Sequence, residues 1–119
     1  VLSDRFHDST RAYQGAGGGA APELIAALET HCLGSVRPDL TLIMDLPVSV
    51  GLARAMGRGG AEARFESKGE AFHEKLRQGF ADIAAAEPDR CRLIDADQTP
   101  DALEALIWDL VQPALAARS

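Results

Sequence analysis

"SDRFHDSTRAYQGAGGG", Ser3–Gly19, sets acids and arginines beside hydroxyls, one aromatic and a glycine tract. An Asp-Arg pair with clustered hydroxyls and glycines suits a small polar ligand, phosphorylated, gripped where a strand ends. The reading holds only if the rest of the chain supplies a sheet behind the segment.

Outward from that stretch, strand and helix signals alternate. Val1-Leu2 read as the end of a short buried strand. Pro22 opens a helical pattern in which Leu24, Ile25, Leu28 and Cys32 recur, and Gly34 marks its stop. "DLTLIMDL", Asp39–Leu46, is a near-continuous apolar run, as expected of a strand covered on both faces. Val48 to Met56 reads as a helix interrupted by the glycines at 57, 59 and 60. Phe65, Phe72, Leu76, Phe80 and Ile83 form one stripe of a long amphipathic helix that Pro88 closes, with Lys68, Glu70, Glu74 and Arg77 on its other faces. "CRLIDA", Cys91–Ala96, reads as a second strand, and Thr99-Pro100 as an N-cap with proline at the first helical position. Leu103, Leu106, Leu110 and Val111 then mark a buried helical face that Pro113 bends or ends. Such alternation indicates an α/β protein with a parallel sheet and flanking helices.

Composition limits what this site can serve. The 119 residues, 46% hydrophobic, suit a single domain with a core. Eighteen acids against twelve bases, net −6, argue against coating nucleic acid or an anionic membrane, though not against a local anion site. No apolar run approaches the roughly 20 residues of a membrane span, and a cytoplasmic protein is expected. Cys32 and Cys91 belong to no CxxC pattern and read as buried free thiols.

The opening stretch closely resembles the D-R-[YFH]-x-x-S-[ST]-x-A-Y-Q-G-x-G-R-G segment of thymidylate kinases, matched by Asp4, Arg5, Phe6, Ser9, Thr10, Ala12, Tyr13, Gln14, Gly15, Gly17 and Gly19. Arg37–Ala55, Arg64–Phe80 and Leu93–Leu103 agree with that family in order and spacing. The resemblance implies a P-loop nucleoside monophosphate kinase fold of strand order 2-3-1-4-5. The residues before Arg5 would end strand 3, and "LTLIMDL" and "CRLID" would be strands 4 and 5. It implies transfer of the γ-phosphoryl group of ATP, with Mg2+, to thymidine 5′-monophosphate (dTMP) in dTTP biosynthesis, by a homodimer with no nucleic-acid or membrane partner. Such chemistry is mainly alignment and charge neutralisation, so cations should carry the site.

In the resemblance Arg5 bridges the acceptor phosphate and the transferring group, and Asp4 orients it. Thr10 and Gln14 read the thymine edge and the adjoining wall, Tyr13 packs beside the sugar, and Ser9 supports the turn. Arg54, Arg58 and Arg64 belong to the phosphate-donor side, with a lid over about 57–67, and Arg64 joins Asp4 and Arg5 as catalytic. No residue is assigned to a metal. Taken singly, Arg5 would serve equally as a capping or ion-pairing arginine, Tyr13 as a core aromatic, and Arg54 and Arg58 as solvated charges.

Two positions depart from the pattern: Gly18 stands where relatives have arginine, and Ala63 where the lid has aspartate before its arginine. Weakened organisation of both loops is expected. No G-x-x-x-x-G-K-[ST] occurs, although kinases of this class cradle ATP phosphates with that loop. Residues 1–119 are therefore expected to be the C-terminal part of one kinase domain, inactive alone. The alternatives are a non-catalytic nucleotide-binding or dimerisation module, against which the Asp4-Arg5 pair and the arginine-rich lid argue, and a kinase for another nucleoside or nucleotide.

Overall fold

Helix termination is where the residue types act most directly. The computed structural model describes residues 1–58 and 69–118. Helix α2 (Pro22–Leu33) begins on its proline and ends at Gly34, whose φ of 57° lies in the left-handed region that favours glycine. The last helix, α5 (Pro100–Arg118), is capped as expected: the Ala102 N–H donates to Thr99 Oγ1 at 3.2 Å. It runs on through Pro113. The carbonyl that loses its partner there belongs to Asp109, and both residues are exposed, so water can serve in place of the missing N–H.

Two strands, β1 (Thr41–Asp45) and β2 (Cys91–Asp95), pair in parallel with Thr41 opposite Cys91 and Asp45 opposite Asp95. They are neighbours, as strands 4 and 5 of the expected order should be. The expectation of full burial on both faces fails: Ile43, Cys91 and Ile94 are buried, whereas Met44 and Leu93 are about half exposed. Val1 and Leu2 form no strand and are fully exposed, because no neighbouring ladder among the described residues takes up their backbone groups.

Helix α3 (Val48–Arg58) continues through Gly57. A helical glycine costs about 1 kcal/mol relative to alanine, which the burial of Val48 and Ala55 along the same helix outweighs. Helix α4 (Glu70–Ala86) buries Leu76 and Gly79 and closes before Pro88; Phe65, the first residue of the expected stripe, lies outside the described residues. Cys91 is buried as expected, but Cys32 is exposed. Helix α2 also turns a different face inward. Ile25 and Glu29 are buried while Leu24 and Leu28 are exposed, because Arg11 draws the Glu29 carboxylate into a bidentate pair at 2.7 and 2.8 Å.

The chain from His7 to Ala16 is one helical run: a single α turn, α1 (His7–Thr10), followed by a π-helical segment, Arg11–Ala16. The Gly17 N–H donates five residues back to the Ala12 carbonyl at 2.8 Å, which defines the wider turn. This run packs on α4 through small residues. Ala12 is fully buried, and a Cβ on Gly79 would stand 2.7 Å from the Ala16 Cβ. A Cβ on Gly17 would stand 2.9 Å from the Phe72 ring.

Gly51, by contrast, lies in α3 where an added Cβ meets only Leu46 Cδ2 at an ordinary 3.5 Å. The same substitution should therefore have opposite signs at the two sites. Gly79→Ala should destabilise the complete protein by about 1–3 kcal/mol through overpacking, and Gly51→Ala should stabilise it by about 0.5–1 kcal/mol. Urea denaturation of both variants checks this, and a stabilising Gly79→Ala would show that the helices can separate without loss.

Candidate functional site

Arg5 is the one non-glycine residue among those described with positive φ, at 68°. Its carbonyl accepts the Ser3 Oγ hydrogen at 2.9 Å, which helps hold a conformation that an L residue seldom adopts. The exposed guanidinium lies over the Tyr13 ring, 5.0 Å from the centroid, and donates from Nη2 to the Tyr13 hydroxyl at 3.3 Å. Its described partner is thus Tyr13 rather than Asp4.

Tyr13 stands on the π-helical segment with its ring edge-on to Phe72 and Phe80, centroids 6.4 and 6.3 Å away. The aromatic body is part of the packing against α4, and the hydroxyl accepts from Arg5. Thr10 and Gln14 are exposed on the same run, and Asp4 is exposed ahead of it. Ser9 is half-buried inside α1, its N–H donating to the Phe6 carbonyl at 3.2 Å, so it belongs to a helix start rather than a free turn.

The departure at Gly18 has a local cause. A Cβ there would approach the Gln14 carbonyl oxygen to 2.9 Å and that of Tyr13 to 3.0 Å, so the conformation after the π turn is open only to glycine. An arginine at this position requires a different exit from the helix.

A cavity of about 320 Å³ opens at the carboxyl end of β1, lined by Tyr13, Asp45, Val48, His73, Arg77 and Phe80 among others. Crevices at this end of parallel strands are where α/β folds bind ligands. Arg77 donates from Nε and Nη2 to the two Asp45 oxygens at 2.9 and 3.2 Å. Periodicity had put Arg77 on a solvated face. An acid at the last residue of a strand, with an arginine on the helix that leads into the neighbouring strand, is the signal that could have found the pair.

Arg54, expected to serve the phosphate donor, is tied to the loop after β2, donating to the Ala96 carbonyl and to Asp97 Oδ1, both at 3.3 Å. Arg64, Ala63 and most of the expected lid lie outside the described residues, and the Arg58 side chain is likewise not described. Among the described residues no group of three or more His, Cys, Asp or Glu side chains could hold a metal ion, and no helix is long and apolar enough to cross a membrane.

The thymidylate kinase family model matches residues 1–107. The chain belongs to the thymidylate kinase family. It is 67% identical over 111 residues to thymidylate kinase of Caulobacter vibrioides, covering 93% of this chain and 53% of that protein. It is 51% identical over 117 residues to thymidylate kinase of Bradyrhizobium sp. strain ORS 278, covering 97% and 52%. The crystal structure of thymidylate kinase from Ehrlichia chaffeensis superimposes with a TM-score of 0.64 at 32% identity, over 92% of this chain and 48% of that one. The chain spans about half the length of the curated relatives it matches. The P-loop kinase fold expected from the acceptor motif is the fold that this neighbour has.

A charged cluster lies behind the helical run His7–Ala16. Arg90 makes a bidentate pair with Asp8, Nη1 to Oδ2 at 2.8 Å and Nη2 to Oδ1 at 3.0 Å. It also donates to Glu87 and, at 2.8 Å, to Thr41 Oγ1. Arg11 joins Glu29 to Glu87. Asp8, Glu29 and His7 are each at least nine-tenths buried. The Arg11 hydrogen bonds hold the Glu29 carboxyl below its usual range, and those of Arg90 do the same for Glu87. Burial is the main cause that pushes His7 below its ordinary value. Arg11 and Arg90 act in the same direction, and Asp8 and Glu29 act against it.

Both kinds of shift make the protein acid-labile. An unfolded chain protonates His7 near 6.5 while the folded one resists, so its contribution is complete above 6.5 and declines as pH falls below it. Glu29 contributes fully above its unfolded value near 4.5 and loses that contribution as pH falls through its lower folded value. The melting temperature of the complete protein should fall in two steps below these values, and His7→Gln should remove only the upper one. A temperature unchanged from pH 6.5 to 5 would mean that His7 stays hydrated.

Proposed function

We propose that the complete protein phosphorylates dTMP with ATP, and that the residues around Arg5 form its acceptor site. The exposed Arg5–Tyr13 contact at the head of the helical run supports this most directly. A guanidinium held by one long hydrogen bond and a ring face is available to an anion, and its planar fork matches two phosphate oxygens.

In the reaction an oxygen of the dTMP phosphate forms a bond to the γ-phosphorus of ATP. The bond from that phosphorus to the bridging oxygen breaks, and ADP leaves with dTDP formed. Arg5 spans the acceptor phosphate and the transferring group and neutralises charge as it spreads over the equatorial oxygens. Asp4 constrains the backbone and charge around it. Tyr13, propped by Phe72 and Phe80, presents its ring edge and hydroxyl beside the sugar, while Thr10 and Gln14 face the base. Arg54, Arg58 and Arg64 serve the phosphate donor.

Mg2+ would supply charge neutralisation on the ATP phosphates. Asp45 in the cavity is engaged by Arg77, and no residue and no step are assigned to the metal. A cytoplasmic homodimer is the assembly that goes with this reading.

Arg5→Ala in the complete protein should lower kcat by about 10²–10³-fold, with a melting temperature close to that of the parent because the side chain is exposed. Arg5→Lys should recover part of the loss, as a charge without the fork. Steady-state kinetics with dTMP and ATP, beside thermal melts, make the check. Near-normal turnover in Arg5→Ala would remove Arg5 from the site.

A further inference from the structure

We propose that Arg90, which lies 77 residues beyond Tyr13 in the chain and outside the acceptor motif, is a positioning residue for the acceptor site: through Asp8 it fixes the helical run His7–Ala16 on the sheet, and so sets where Arg5 and Tyr13 meet the acceptor monophosphate. The inference rests on the reading of the acceptor site given under Proposed function.

Arg90 is itself fixed. Its carbonyl accepts the Thr41 N–H at 2.8 Å, continuing the β1–β2 ladder by one residue, so its backbone moves only with the sheet. From that anchor the guanidinium makes five hydrogen bonds: two to Asp8, one to Thr41 Oγ1, and two to Glu87 at 2.8 and 3.3 Å. A guanidinium has five N–H donors, so its fork is fully used. The bidentate pair fixes orientation as well as distance, which a single hydrogen bond does not.

Asp8 is the point where this anchor reaches the site. It sits three residues after Arg5 and five before Tyr13, with 4% of its surface exposed. Arg11, on the next turn, shares Glu87 Oε2 with Arg90 and ties the same run to Glu29 of α2. The segment that carries the acceptor residues is thus clamped between the sheet and α2.

Ion pairs of this kind are poor devices for stability, since well-packed apolar residues of similar volume often do as well or better. What they supply is one geometry. Alignment is what phosphoryl transfer asks of a protein, and a misplacement of about 1 Å can cost on the order of 10²-fold in rate.

The test uses the complete protein with dTMP and ATP, reading kcat, both KM values and the melting temperature. Arg90→Gln and Asp8→Asn should each raise the KM for dTMP about tenfold, a fraction of the loss from a full ångström of misplacement, and lower kcat, with the KM for ATP within about twofold. The double variant should be no worse than either single one, because the two residues act as a unit. Arg90→Lys, which keeps the charge and loses the fork, should fall between parent and Arg90→Gln. A lower melting temperature with kcat and both KM values unchanged would reduce Arg90 to a structural clamp, and equal rises in both KM values would mean general damage; either overturns the proposal. Should Arg90→Gln fail to fold, Arg90→Lys carries the same reading, and an unchanged KM for dTMP in that variant sinks it. If the parent protein does not phosphorylate dTMP, the acceptor-site reading itself fails, whereas an active parent with unaffected Arg90 variants refutes only the positioning role.

Discussion

The close approach of the His7–Ala16 run to α4 is the constraint on which the rest of the structure depends. Ala12, Ala16, Gly17 and Gly79 leave no side-chain bulk between the two elements, and the aromatic rings of Tyr13, Phe72 and Phe80 can meet edge to face only because the backbones come so near. The π turn follows from this contact. An extra residue per turn rotates Tyr13 and Gln14 relative to an α-helical continuation and brings Gly17 against Phe72 and Leu76 in the first turns of α4. Helix α4 packs in turn on both strands and on α3, so the acceptor segment is referred to the sheet through one rigid element.

The parts legible in the sequence were those that single residues decide. Pro22, Gly34 and Pro88 act through their backbone and Thr99 through its hydroxyl, and the helix boundaries at these four residues fell where they were expected. The acceptor motif was legible as a string of residue types, and the family it indicated is the family of the chain. Parallel pairing of the two strands followed from their separation by helices.

What was not legible depends on partners distant in the chain. Leu24 and Leu28 belonged to the expected apolar pattern and nothing in it singled out Glu29, yet Arg11, eighteen residues earlier, draws Glu29 inward and leaves both leucines exposed. Arg77 looked like a surface charge because the acid it meets, Asp45, lies on another element. Periodicity assumes that apolar residues choose the face. Here a paired charge chose it, because a carboxylate with two guanidinium hydrogen bonds can be buried while an unpaired one cannot. Val1 and Leu2 failed for a related reason, since a strand is defined by its neighbour and an apolar pair cannot form one alone.

The arginines divide by how firmly each is held, and this separates ligand from scaffold better than motif membership does. Arg90 spends two of its donors on the nearly buried oxygens of Asp8, and breaking such a pair by removing one partner typically costs about 3–5 kcal/mol. A phosphate arriving from solvent would have to offset that loss, so Arg90 is not the arginine that such an anion would draw away. Arg5 has one 3.3 Å bond and an exposed ring contact, interactions of about 0.5–1 kcal/mol in such settings. A charge-assisted hydrogen bond to phosphate is worth more than that, so an arriving anion can take Arg5 from Tyr13 without disturbing the packed ring. Arg54 lies between these limits, with two 3.3 Å contacts at the surface. A phosphate site needs both kinds of arginine, one that yields its contacts to the ligand and one that keeps the surrounding backbone still while it does so.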